Sequence, residues 1–107
     1  GINANASAYK LTVNGKIICE ELKVELYNNW PDYVFASEYD LTPLHELKVF
    51  IRENRHLQNI PKADEVAKEG IEVGEMNRKL LEKVEELTLY VIQLQEQIDQ
   101  LKVNLQK

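Results

Sequence analysis

The stretch Leu80-Leu81-Glu82-Lys83-Val84-Glu85-Glu86-Leu87-Thr88-Leu89-Tyr90-Val91-Ile92-Gln93-Leu94-Gln95-Glu96-Gln97-Ile98-Asp99-Gln100-Leu101-Lys102-Val103-Asn104-Leu105 decides the fold. Its apolar positions Leu80, Val84, Leu87, Val91, Leu94, Ile98, Leu101 and Leu105 are spaced alternately four and three apart. That is a heptad repeat, not the 3.6-residue drift of an ordinary surface helix. Val84, Val91, Ile98 and Leu105 take position a, and Leu80, Leu87, Leu94 and Leu101 take position d. Asn77 falls at the preceding a position, where a polar layer can set register. No proline or glycine follows Gly74. The pattern predicts a helix from about Glu75 to near the C-terminus, ~50 Å long at 1.5 Å per residue.

Such a stripe predicts self-association. The only other sizeable helix signal, from Thr42-Pro43 to about Asn54, is about a third as long and cannot cover it. Burying an aliphatic side chain contributes about 1.5–3 kcal/mol. Eight left wet would forfeit more than the ~5–15 kcal/mol net stability of a small domain. A second apolar set, Leu81, Leu89 and Ile92, lies well away from the a/d seam on a helical wheel. The middle of the chain is therefore expected to pack there, through Trp30, Tyr33 and Phe35, sheathing the upper coil and leaving the lower coil bare. The number of strands stays open on pattern alone. β-branched residues at a with leucine at d favour two. The flanks Thr88, Gln95 and Lys102 at e, and Tyr90, Gln97 and Asn104 at g, carry little charge and suit wider burial in three.

Outward from the coil, residues 28–74 read as a compact mixed segment. Trp30, Tyr33, Phe35 and Tyr39 fall within ten residues, a density that marks a local core around an irregular loop. Thr42 is placed to cap a helix with Pro43 at its first position, and Leu44, Leu47, Phe50 and Ile51 recur at helical spacing. His56 to Pro61 reads as a loop, and Ala63 to Glu69 as a second short helix ended by Gly70. Residues 1–27 read as β-structure: Tyr9 to Val13 alternates, Asn14-Gly15 is a type I′ turn signal, Lys16 to Cys19 returns, and Leu22, Val24 and Leu26 alternate again. Two or three short strands need a partner surface in water.

Composition narrows the function classes. The net charge of −5 comes from 18 acidic and 13 basic residues interspersed along 107, with no basic face to track phosphates. No apolar run nears the ~18 residues of a membrane span. No signal-like stretch opens the chain, so an export signal would lie on a longer precursor. Cys19, the only cysteine, reads as a small hydrophobe on a strand. His45 and His56 lack matching ligands at metal-site spacing. Asp32, Glu38, Asp40 and Glu46 read as solvated or capping carboxylates, and Gly70 and Gly74 are too isolated for a phosphate loop.

Several runs carry a resemblance: Tyr9 to Ile17, Glu21 to Val24, Trp30-Pro31-Asp32-Tyr33-Val34-Phe35, His56-Leu57 with Ile60-Pro61, Gly74 to Asn77, Leu80 to Lys83 and Glu85 to Tyr90. In this order they resemble the C-terminal region of bacterial and phage tail-fibre-like surface proteins, over nearly the whole chain. Gln58 and Lys62 depart from that pattern, where proline and serine would be expected. The resemblance implies a terminal module related to the trimeric intramolecular chaperones of tail spikes and endosialidases. Those modules gather three chains so that an upstream β-shaft, with its slow non-local pairings, folds in register. Some cut themselves free with a serine and a lysine; Ser7 and Ser37, the only serines, sit in no such motif.

The combined expectation is an α+β chain, mostly α. Short N-terminal strands at the end of a shaft (1–27), an aromatic-rich segment with two short helices (28–74) and a helix in a parallel trimeric coiled coil (75–107) follow one another. Its expected role is non-enzymatic trimerisation and folding of a fibre, with no cofactor and no metal. Its partners are two copies of itself and the shaft of the same polypeptide, with neither nucleic acid nor membrane. Its setting would be a virion, a tail-like particle or the bacterial surface, including secreted proteins. A trimeric receptor- or glycan-binding tip is the alternative, and a dimeric scaffold a weaker one. A tip would expose its aromatics in a concave groove, whereas a chaperone module would bury Trp30 and Tyr33 against the coil.

Overall fold

The computed structural model describes residues 8–25 and 30–106. These residues are mostly helical and extend over 73 × 29 × 28 Å. A single 3₁₀ turn spans Tyr33–Phe35, followed by α1 (Leu44–Asn54), α2 (Ala63–Glu69) and α3 (Val73–Leu105). At 33 residues α3 is the spine, and the 3₁₀ turn and the loop after it pack along its N-terminal half.

The helix ends follow local chemistry. Pro43 opens α1, its carbonyl accepting from the Glu46 and Leu47 amides at 3.0 Å each. Thr42 does not cap, contrary to expectation: its hydroxyl donates to Gln58 Oε1 at 3.2 Å, and its carbonyl receives the Tyr90 hydroxyl at 2.6 Å. Those contacts tie it to the loop and to α3, and the N-cap falls one residue later, at Pro43, which was expected at the first helical position. Arg55, at φ 61°, closes α1 through its amide to Ile51. Gly70, at φ 73°, ends α2, where glycine adopts a positive φ without a Cβ clash. No proline interrupts α3, and it begins at Val73, slightly before the expected Glu75.

The N-terminal strands are the main correction. Among the described residues none is in a strand; residues 8–25 run as exposed irregular chain, and the expected Leu26 lies outside the described residues. Ile17 is 70% and Ile18 98% exposed. Alternation and the Asn14-Gly15 turn supply strand propensity, but a hairpin with nothing to bury against is marginal in water. Among the described residues, 8–25 are all exposed.

Candidate oligomer interface

Heptad position sorts the residues of α3 by burial. Glu82 (f), Lys83 (g), Glu85 (b) and Tyr90 (g) are buried under the middle segment, the three charged side chains at 7–9% exposure. The seam residues Leu80, Val84, Leu87, Val91, Leu94, Ile98, Leu101 and Leu105 are all exposed, Leu87 at 61% and Val91 at 62%. Asn77 is exposed as well. The chain thus covers an outer arc running from b through f and c to g, and leaves open the a/d seam and the e positions from Thr88 onward. A soluble helix normally turns its apolar stripe inward and its charges outward. Here the arrangement is reversed.

The covered arc is held by tyrosine–carboxylate contacts. Tyr33 donates its hydroxyl to Glu82 Oε2 and receives Arg78 Nη1 at 3.3 Å. Arg78 is braced in turn by Glu75 one turn earlier, with Nη2 donating to Oε1 at 2.5 Å. Tyr39 donates to Glu86 Oε2 at 2.5 Å, and Lys83 Nζ donates to Glu86 Oε1 at 2.9 Å and pairs with Glu82 at 3.4 Å. The Tyr33 and Tyr39 rings lie 6.0 Å apart, tilted by 37°. Burial, and then hydrogen bonding to an adjacent carboxylate, raises the pKa of both phenols, so they stay protonated donors. Burial alone would raise the Glu82 carboxyl, but Tyr33, Lys83 and Arg78 outweigh it and hold it below the usual range.

Glu85 stands apart. It is 7% exposed, and its Oε1 has no hydrogen-bond partner. Burial first, then the adjacent Asp32 carboxylate, then Glu82, push its carboxyl above the usual range. Asp32 itself enters the 3₁₀ turn at φ 155°, a conformation that L side chains rarely adopt.

The expected packing residues divide. Phe35 lines a hollow with Leu89 and Ile92, and Leu81 and Leu89 are half-buried. Trp30 is 58% exposed, so it does not bury against the coil as expected. The wedge is instead Val34, 1% exposed, with the equally enclosed Pro31. Val34 is the central residue of the 3₁₀ turn, and Pro31 precedes the Asp32 that leads into it. No periodic pattern marks this pair in the sequence, where the larger aromatics around it draw the eye.

Other candidates are dispersed. Cys19 and His45 are exposed, and His56 stacks edge-on against Phe50 at 5.6 Å. Ser37 hydrogen-bonds Glu38 at the surface, and Ser7 lies outside the described residues. No cluster of three or more His, Cys, Asp or Glu capable of holding a metal occurs among the described residues. Among them, no helix is long and apolar enough to cross a membrane. No protein-family model, no curated protein and no solved structure matches this chain.

Proposed function

We propose that this chain is a parallel self-association module, trimeric, whose task is to gather and register three copies of a longer polypeptide. One observation carries the reading: the middle segment buries the charged outer face of α3 while the heptad seam stays open along its whole length. Eight exposed aliphatic side chains in strict heptad order fit the same helix of other copies better than any irregular partner. Three strands are favoured over two by the uncharged, exposed e positions Thr88 and Gln95, which a trimer buries more fully than a dimer.

The resemblance to C-terminal regions of tail-fibre-like surface proteins gives the module its purpose. Three chains held at one end bring their upstream segments to high effective concentration, replacing a three-body search with an intramolecular one. Residues 8–25, exposed and rich in alternating apolar residues, are the segment such registration would serve first.

Sedimentation equilibrium tests the assembly. The expected mass is three times the 12.4 kDa chain. A clean dimer overturns the trimer, and a monomer at micromolar concentration overturns self-association. The folding role is tested by expressing the natural upstream sequence with and without this module. Equal trimer yield from both would overturn that role.

A further inference from the structure

Beside the seam, α1 and the loop after it build one wall of an open apolar groove. Leu44, Leu47 and Leu57 form that wall, and Leu87, Val91 and Leu94 of α3 face them around a space of about 270 Å³. Lys83 and Tyr90, both at position g, lie along the same groove. The wall therefore stands on the g flank only. Among the described residues no such wall stands beside Thr88 on the e flank, which is exposed.

We propose that this groove receives the a/e edge of α3 from a second copy of this chain, around its Val84, Thr88 and Val91. The inference rests on the self-association reading and adds where α1 sits within it. Continuity identifies the occupant: Leu87, Val91 and Leu94 belong to groove and seam alike, so a helix covering the seam must reach the wall. In a parallel coiled coil the g position of one helix faces the e position of the next heptad in its neighbour, which sets Lys83 against Thr88 and Tyr90 against Gln95. Both e residues already bond within their own helix. The Thr88 hydroxyl donates to the Val84 carbonyl at 2.9 Å, and the Gln95 amide donates to Asp99 at 2.9 Å. The Thr88 hydroxyl therefore brings no unpaired donor into the groove, while Gln95 keeps one amide hydrogen for a partner beside Tyr90.

The one-sided wall also selects orientation. A contact of g flank on e flank is heterologous, and it closes on itself only when the copies are arranged cyclically and parallel. Antiparallel helices would bring g against g and drive two α1 walls into each other.

The test places opposite charges across the suggested contact in the full chain. Thr88→Lys changes an exposed position, and Leu57→Glu a half-exposed loop position; circular dichroism and thermal melts establish that each variant remains helical. Each single variant should weaken association roughly tenfold or more by desolvating an unpaired charge. The double variant should recover most of that loss, because the carboxylate introduced in the loop of one copy then meets the ammonium introduced on α3 of the next. Thr88→Val should associate at least as tightly as the parent. If Thr88→Lys associates like the parent, or the double variant is as weak as the sum of the singles, the groove contact is wrong while the seam reading stands. A parent chain that sediments as a monomer removes both. Protection of the groove in a monomer would instead identify the chain's own N-terminal segment as its occupant, and would overturn the proposal.

Discussion

Up to Tyr90, α3 lies under the 3₁₀ turn, the loop to Thr42 and α1, whereas from Val91 to Gln106 every residue is exposed. Both halves carry the same heptad seam, so seam chemistry alone does not explain why only one is sheathed. The covered half presents groups that can be bonded: Arg78, Glu82, Glu86 and Tyr90 each meet a side chain or carbonyl from the middle segment. The lower half presents Gln93, Glu96 and Gln100 outward, with contacts such as Gln95 to Asp99 that stay within the helix. A bare stretch of that length is a marginal helix in water. The upper half is positioned within one chain; on the proposed reading, the lower half would be covered by association.

The sharpest way to break this comparison is at the seam. Leu87→Glu with Leu94→Glu removes two d residues, a loss of about 3–6 kcal/mol per chain before charge repulsion is counted. The expected outcome is a 12.4 kDa species in sedimentation with much of the lower-half helicity gone by circular dichroism. Retention of full helicity in a monomer would mean the lower coil needs no partner.

The next perturbation separates sheath from seam. Leu89→Glu with Ile92→Glu acts on the face shared with Phe35, away from a and d. It should cost about 1–3 kcal/mol, since Leu89 is half-buried and Ile92 48% exposed. Limited proteolysis should then cut within residues 30–60 while α3 remains helical and associated. Unchanged protease resistance would show that Val34 and the tyrosine contacts hold the sheath unaided.

Helices were legible because their punctuation is local. Pro43, Gly70 and the unbroken run after Gly74 each act within a few residues, and the heptad needs only counting. The sheath was legible in outline only. Leu81 and Leu89 flag a second face, but nothing in a linear pattern says that Glu82, Lys83 and Glu85 would be the residues buried there. Glu82 meets Tyr33, which lies far away in sequence. Lys83 pairs with Glu82 and Glu86 of its own helix, and Glu85 goes under beside Asp32 with one oxygen unpartnered. Trp30 misled for a related reason: size predicts burial on average, whereas here Val34 of the 3₁₀ turn takes the site. The strands misled because hairpin propensity is conditional on a surface to cover it.

A smaller change probes a single tie between α1 and the spine. Tyr90→Phe deletes the hydroxyl that donates to the Thr42 carbonyl at 2.6 Å and leaves the ring in place. The expected cost is about 1 kcal/mol, read as a shifted urea midpoint with an unchanged slope. A cost near zero would show that water replaces the bond and that α1 is held by its leucines.

The smallest effect has the opposite sign. Glu85 is buried with one oxygen unpartnered, and burial with Asp32 and Glu82 holds its carboxyl above the ordinary value of 4.5. The folded chain therefore keeps this proton over a pH range in which the unfolded chain has released it. Across that window, from about 4.5 upward to the raised value, stability falls as pH rises. Glu82, held below the ordinary value, contributes in the other direction: its share is present above 4.5 and is lost as pH falls through its lowered value. Glu85→Gln keeps a neutral group that donates to Asp32 and removes the first dependence alone. The variant should match the parent in acid and exceed it by roughly 0.5–1 kcal/mol at pH 7. Urea titrations at pH 4 and pH 7 measure the difference. A destabilised variant at neutral pH would mean that ionised Glu85 has a cationic partner in the assembled protein, which would move the sheath's outer edge into the interface between copies.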